Sequence, residues 1–434
     1  MMTDYRMLNI GKASPPSYPP QGGRLSAYWK KHYRERQLMK AGIVQRIFKD
    51  HFDSYKDKHG VSAREWKAAH NIITCRTREQ GYHVDECPNG HLSIILNNSC
   101  KHRSCPQCGS TETEIWLQRR KLQALDCSYY QIVFTISHDL HQIWRWNRRL
   151  FTNLLFLAAW HTLRELLGSE RWLGALTGAI GVFQSWDDEM LEHCHLHFII
   201  PAGGLDKARK WKPIDGEFLI PAKVLSAKFR GKFLAYLREG FKKFTKTGIE
   251  KPKNQVLVAP NGKSVQQCLN LINKLGRTKW HVYIEPPYEH ANGVFKYVGR
   301  YIRRGPISEK RIIGYDGETV TIAYAHPEKH EKSSFRVNAG TFIHRILTHV
   351  PESGTHLVRS YGLFHPRCIE KLNAARIQLG QPPYKTLTEL PSAQELLDQM
   401  FPEWDAIRCP ECGALLQTVY VERHCQGPPL KLAA

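Results

Sequence analysis

The sequence predicts an α+β protein: a central antiparallel sheet flanked by helices, with a small zinc-binding module at its N-terminal side. Three observations lead there. Segments of β-branched and aromatic residues, at 129–136, 179–186 and 192–200, alternate with stretches of helical period. The polar turn Asp187-Asp188-Glu189 joins the second and third of these segments as a hairpin, hence antiparallel. A group of cysteine words precedes the first strand, in a chain whose 12 cysteines read as metal ligands and buried thiols rather than disulfides.

At 434 residues the chain has room for two to three domains, each with its own core. A formal charge of +22 implies a polyanionic partner, for which a phosphate backbone is the usual chemistry. The longest apolar run, Leu150 to Trp160, is interrupted by Thr152 and Asn153 and is too short to span a bilayer. Without an anchor, a lipidation signal or a leader pattern, a membrane partner is not expected, and the expected location is cytoplasmic and nucleoid-associated.

Residues 1–30 are polar and rich in Pro and Gly, which predicts a loose arm. From Tyr33 to His70 apolar residues recur at helical spacing, as two short helices. The cysteine group follows: Cys75, Cys87, His91, Cys100, Cys105 and Cys108. A tetrahedral zinc site needs two short loops that each give two ligands, so Cys87, His91, Cys105 and Cys108 are expected to share one ion. Cys75 and Cys100 are then surplus; they either join His83 or His102 in a second site or are buried thiols. Zinc would hold together a module too small to bury a sufficient core.

Helix is expected from Trp116 to Leu125, strand from Tyr129 to Ile136, and one long helix from Trp144 to Leu167. In the strand Glu192–Ile200, period two places His193, His195 and His197 on one face, and Cys194, Leu196, Phe198 and Ile200 on the other. Histidines at i and i+2 on a strand can converge on one metal ion. Gln184, across the hairpin, offers an amide oxygen as third ligand or hydrogen-bonds its strand neighbours.

The stretch Lys223 to Lys246 interleaves seven cations, from Lys228 to Lys246, with five aromatic residues, from Phe229 to Phe244. Its basic face either lines a groove for nucleic acid or is simply solvated. After a strand at Trp280–Ile284, Asn292 can cap a helix from about Gly293 to Arg304. Tyr297 and Tyr301 lie four apart on one face of that helix, among Lys296, Arg300, Arg303 and Arg304. Alone, such a pair reads as core packing; among four cations, it reads as phenols that meet phosphate.

His195-Leu196-His197 resembles the His-hydrophobic-His motif of the HUH single-strand endonucleases, and Tyr297-Val-Gly-Arg-Tyr301 resembles the paired-tyrosine helix of their two-tyrosine branch. The words FTISHDL from Phe134, HCHLHFIIPAGG from His193, FLIPAKVLSAKFRGKF from Phe218, YVGRYIRRGPIS from Tyr297 and RSYGLF from Arg359 are similar to rolling-circle transposases of the insertion-sequence-ninety-one type. The likeness runs from about Ile43 to Leu416. It implies an HUH catalytic domain at 116–350 with a basic helical insertion at about 205–260, after a helical and zinc-binding module at 31–115. A C-terminal region, 351–434, carries Cys409-Pro-Glu-Cys412 and His424-Cys425 as a further zinc knuckle.

The resemblance further implies a metal-dependent nuclease and strand transferase that nicks and rejoins single-stranded DNA at the ends and target of a mobile element. His195 and His197, with Gln184, would hold magnesium or manganese. Tyr297 or Tyr301 would attack phosphate to give a 5′-phosphotyrosine and a free 3′-OH. One departure is local: where the family has Cys-x-x-Cys in the first zinc word, Cys87 is followed by Asn89, Gly90 and His91. A replication initiator or relaxase would use the same site, and a non-catalytic zinc-dependent DNA-binding protein is the reading from another class.

Overall fold

In a computed structural model of the chain, the described residues are 42–214, 220–245, 247–248, 250–290, 299, 305–325, 332–385, 395, 409 and 411–422. They fall into two compact units, one within Met1–Cys108 and Ala393–Ala434, the other within Gly109–Ser392. No helix among the described residues is long and apolar enough to cross a membrane.

The first unit opens with a helical pair, α1 (Ile43–His59) and α2 (Ala63–Thr74). Ser62 starts α2 with a capping box: its hydroxyl accepts the Glu65 N–H, while the Glu65 carboxylate accepts the Ser62 N–H. Val44, Ile47, Phe48 and Ile72 are buried. Gln45, also buried, donates to the carbonyls of Ile73 and Cys75 and accepts from the Gln107 amide. One side chain thus ties the helices to two separate cysteine-bearing segments. Strands β1 (Tyr82–Glu86) and β2 (Ser93–Asn97) form a hairpin, and the C-terminal strand Gln417–Val421 pairs with the free edge of β1.

The second unit is built on a five-stranded antiparallel sheet. Its helices before the sheet and across the first crossover are α3 (Ser110–Gln123), α4 (His141–Trp146) and α5 (Arg148–Leu167). The sheet strands are β3 (Tyr129–Thr135), β4 (Gly178–Trp186), β5 (Glu192–Pro201), β8 (Val282–Ile284) and β12 (Val358–Gly362), in the order β12-β4-β5-β3-β8. Two short strands, β6 (Gly203–Leu205) and β7 (Trp211–Pro213), form a separate pair after β5. The helices α6 (Ala222–Gly240) and α7 (Val265–Leu275) precede β8.

A second sheet, β11-β10-β9, comprises β9 (Ile312–Tyr315), β10 (Thr319–Ala325) and β11 (Lys332–Asn338); α8 (Ala339–Thr348) follows it, and α9 (Ile369–Gln378) follows β12.

The expected helix from Trp144 to Leu167 is broken at Asn147. Its amide donates to the carbonyls of Ile143 and Val258, and its Oδ1 accepts the Val258 N–H, so a tertiary bond replaces helical continuity.

One face of the sheet carries the larger core. Cys194, Leu196, Phe198 and Ile200 of β5 pack there with Phe134, Phe156, Phe229 and Phe233. Gly181 is needed on this face, because a Cβ there would lie 2.9 Å from Phe198 and 3.0 Å from Phe156. The other face carries Ile180, Val182 and Ile199, which pack with Leu117 of α3 and Leu372 and Ala375 of α9.

The basic stretch is helical as expected, with Phe229, Phe233 and Leu237 buried. Its central cations serve the fold: Lys228 and Lys232 both pair with Glu165 of α5, at 2.5 and 2.6 Å. Arg238 binds Asn273 of α7 at 3.0 Å.

Candidate functional site

The histidine strand is the middle strand of the sheet. In register, His195 stands between Gln184 of β4 and Thr135 of β3, and His197 between Val182 and Val133. Side chains opposite one another project to the same face, so Gln184, His195 and His197 share one surface. All three are buried, at 6–7% exposure. The His195 and His197 ring centroids are 4.8 Å apart.

The protonation pattern leaves ring nitrogens open as ligands. His195 Nδ1 lies 2.7 Å from the His193 carbonyl, which can only accept, so Nδ1 carries the proton and Nε2 keeps its lone pair. Burial, and the imidazoles of His197 and His193, push the His195 pKa well below its ordinary value. Burial, with His193 alongside, pushes that of His197 down to about 4. Both rings are therefore neutral near pH 7, the form that can bind a cation.

Gln184 donates from Nε2 to the Trp186 carbonyl at 3.0 Å, while its buried Oε1 has no hydrogen-bond partner among the described residues. A buried amide oxygen without a partner costs about 1–3 kcal/mol, a cost that a cation would remove. Two neutral imidazoles and this oxygen form a donor set that fits a divalent ion.

Sequence reasoning missed Gln131. It sits in β3 with an amide nitrogen 3.4 Å from His197 Nδ1, and its Oε1 lacks a partner among the described residues. With the amide turned round, that oxygen would accept from Nδ1–H and hold His197 in the tautomer of His195. The only sequence signal was a polar residue at an alternate position of an apolar strand. Also missed were His138 and His141, which extend the imidazole row: centroids are 4.8 Å apart for His138–His141, 5.5 Å for His138–His193 and 4.9 Å for His193–His195.

The hairpin that presents the histidines is pinned at its turn. Asp187 accepts the N–H groups of Glu189 and Leu191. Arg345 of α8 donates to the Glu189 carbonyl at 2.8 Å, and His349 to that of Met190 at 3.0 Å. Tyr283 of β8 was also unforeseen. It faces Val133, which faces His197, so it lies in the same cross-strand row on the histidine face, 58% exposed.

Tyr297 and Tyr301, with Lys296, Arg300, Arg303 and Arg304, lie outside the described residues. Gly299, between the tyrosines in sequence, is described: it is helical and buried, and a Cβ there would lie 2.7 Å from Leu117. Leu117 belongs to the cluster on the histidine face.

The cysteines assemble differently from the sequence expectation. Cys75, Cys100, Cys105 and Cys108 form one group; Cys87, His91, Cys409 and Cys412 form another, with all ligand atoms in each group within 4.8 Å of one another. The expected set of Cys87, His91, Cys105 and Cys108 is thus split between two centres. Cys75 and Cys100 stand in the first group rather than apart as surplus thiols. His83 bonds Asn98 and His102 Nδ1 accepts the Ser104 N–H, and neither ring belongs to either ligand group. Cys409 and Cys412 close the second centre, while His424 and Cys425 lie outside the described residues.

The reason is long-range pairing. The C-terminal strand lies beside β1, with Glu86 opposite Gln417, which carries the 409–412 loop to the Cys87 turn. Cys87 and Cys412 sulfurs are 3.5 Å apart, and His91 Nδ1 is 3.8 Å from both the Cys87 and Cys409 sulfurs. The Ala414 N–H and the Asn89 amide hold the Cys412 thiol down at about 6, toward the thiolate that binds metal.

A family described as "Putative transposase" matches residues 178–371, and one described as "Transposase zinc-binding domain" matches residues 47–136. The chain is 31% identical over 396 residues to "Putative transposase y4qJ" of Sinorhizobium fredii, covering 89% of this chain and 97% of that protein. It is 23% identical over 368 residues to "Transposase for insertion sequence element IS801" of Pseudomonas savastanoi pv. phaseolicola, covering 82% of this chain and 84% of that protein. No solved structure matches.

The cysteine clusters are accordingly those of a zinc-binding module, and the partner of the chain is DNA. The chain belongs to the transposases of the insertion-sequence-ninety-one type, with their N-terminal zinc-binding module.

Proposed function

We propose that the chain nicks and rejoins single-stranded DNA through a tyrosine nucleophile, beside a divalent ion, magnesium or manganese, held by His195, His197 and Gln184. The observation that carries this is the placement of Gln184 opposite His195, with a buried amide oxygen that has no partner among the described residues. A divalent ion bound there would offset negative charge on the scissile phosphate.

Tyr297 or Tyr301 is the nucleophile. The helical Gly299, two residues from each, and its approach to Leu117 on the histidine face support this assignment. The phenol loses its proton and its oxygen bonds to phosphorus. The bond from phosphorus to the 3′-oxygen breaks, and that oxygen takes up a proton. The product is a 5′-phosphotyrosine and a free 3′-OH, and the reverse transfer rejoins a strand without external energy. A free phenol has a pKa of about 10, so roughly one in a thousand is ionised at neutral pH. Lys296, Arg300, Arg303 and Arg304, near in sequence, are the cations assigned to DNA phosphate and to lowering that barrier.

The test is to incubate the protein with end-labelled single-stranded oligonucleotides from the element's termini and manganese, and to look for a covalent protein–DNA adduct. The adduct is expected with the unaltered chain and lost in His195→Ala and in Tyr297→Phe/Tyr301→Phe. Cleavage that survives both changes would put the site elsewhere.

A further inference from the structure

We propose that a basic cleft at the opposite end of the central sheet from the histidines is a second DNA contact, which takes one unpaired nucleotide of a single strand together with its flanking phosphates. The cleft has a volume of about 380 Å³, within the range of roughly 300–1,000 Å³ that encloses small ligands. Leu176 and Thr177, before β4, and Leu205, at the end of β6, line it. Gln184 is eight residues along the chain from Leu176 (184 − 176), roughly 26 Å at about 3.3 Å per residue of strand.

Arg164, Lys207, Arg209 and Lys371 all line this cleft and are exposed. None of them has an ion-pair partner among the described residues. The one lining carboxylate among the described residues, Asp206, already accepts the Lys210 N–H at 2.8 Å. Glu170, close by at Gly174, pairs with Lys212 at 3.6 Å.

This contrasts with Lys228 and Lys232, whose charge is spent on Glu165. Four cations without ion pairs, against the single carboxylate of Asp206, leave the concavity with a net positive charge that attracts a polyanion. Trp160 forms part of the wall and is held by stacking on Tyr361, with centroids 5.0 Å apart and planes at 19°. Trp160 is 8% exposed, so it gives the cleft a rigid apolar wall rather than an open stacking platform, and the cations carry the contact to phosphate. A base within a duplex cannot enter a cleft of this volume; an unpaired one can.

The inference goes beyond the cleavage chemistry and does not depend on it. It is tested by binding a fluorescein-labelled oligothymidylate of about 12 nucleotides to the full-length protein, without added divalent ion, across a salt series. Arg164→Gln, Lys207→Gln, Arg209→Gln and Lys371→Gln are each expected to lower the salt slope by about 0.7. The four together should weaken binding at least about tenfold at about 50 mM salt, and Lys207→Arg/Lys371→Arg should restore the slope of those two positions. Removing the same number of exposed cations elsewhere on the unit, as Lys263→Gln/Lys274→Gln/Arg277→Gln/Lys279→Gln, should change affinity about twofold at most, with both quadruple variants melting like the parent.

Equal losses in the two quadruple variants would overturn the proposal, as would a duplex of the same length that binds as tightly and loses as much. The same series in His195→Ala should keep the dependence on the cleft while the covalent adduct disappears, so failure of cleavage and failure of this contact are read separately.

Discussion

Gln184 stands directly across from His195 on the adjacent antiparallel strand, and its buried Oε1 has no hydrogen-bond partner among the described residues. A glutamine kept for structure alone would have both ends of its amide satisfied, whereas a ligand is tolerated with an unsatisfied oxygen at a cost. Gln184→Leu removes an unsatisfied oxygen and one bond to the Trp186 carbonyl, two effects of about 1 kcal/mol each and opposite sign. Its melting temperature without divalent ion is therefore expected to stay near that of the parent. The manganese concentration for half-maximal adduct formation should rise by about tenfold or more. An unchanged manganese response would remove Gln184 from the ligand set.

The two cysteine centres predict about two zinc ions per chain, and they can be emptied independently. Cys105→Ser should lose the ion held with Cys75, Cys100 and Cys108, while Cys412→Ser should lose the one held with Cys87, His91 and Cys409. Elemental analysis of each purified variant should give about one zinc. Cys412→Ser should also raise amide exchange in β1 and in the strand Gln417–Val421, which that ion joins through their loops. If either substitution removed both ions, the centres would be one cooperative site.

What the sequence made legible follows from the range of the interactions. The alternation of His193, His195 and His197 is a local property of a strand, and a hairpin turn of a few residues places Gln184 beside it. The pairing of cysteines is not local: Cys87 meets Cys412 across 325 residues, through a strand pairing that no spacing within the N-terminal words encodes. Asn147 looks like any polar residue in a helical pattern until Val258 arrives to bond it. Gln131 and Tyr283 acquire meaning only from the register of β3 with its two neighbours.

His349 gives the second unit a pH dependence with a defined sign. Its Nε2–H donates to the Met190 carbonyl at 3.0 Å and its Nδ1 accepts from Ser185 at 3.1 Å, so the ring is neutral, and burial lowers its pKa to about 4. The folded pKa lies below the unfolded value of about 6.5, so the unfolded chain takes up this proton first as pH falls. The contribution is whole above about 6.5 and is lost on the way down to about 4, the loss amounting to about 3 kcal/mol. Urea midpoints at pH 7 and 5 should fall less in His349→Gln than in the parent. Equal falls would assign the dependence to other groups.

Tyr283 should carry stacking rather than stability. It is 58% exposed on the edge strand β8, two strands from His197 in the same cross-strand row. A strand of DNA that reaches the histidines from this edge passes over its ring, and stacking a base on an aromatic side chain is worth about 1–3 kcal/mol. Tyr283→Ala should therefore weaken binding of a single-stranded oligonucleotide by about 5- to 150-fold. Its melting temperature should hold, because more than half of the residue is exposed. Tyr283→Trp should bind as well as the parent, since stacking needs a flat ring and not a phenol. If Tyr283→Phe lost as much as Tyr283→Ala, the contact would be the hydroxyl and not the ring.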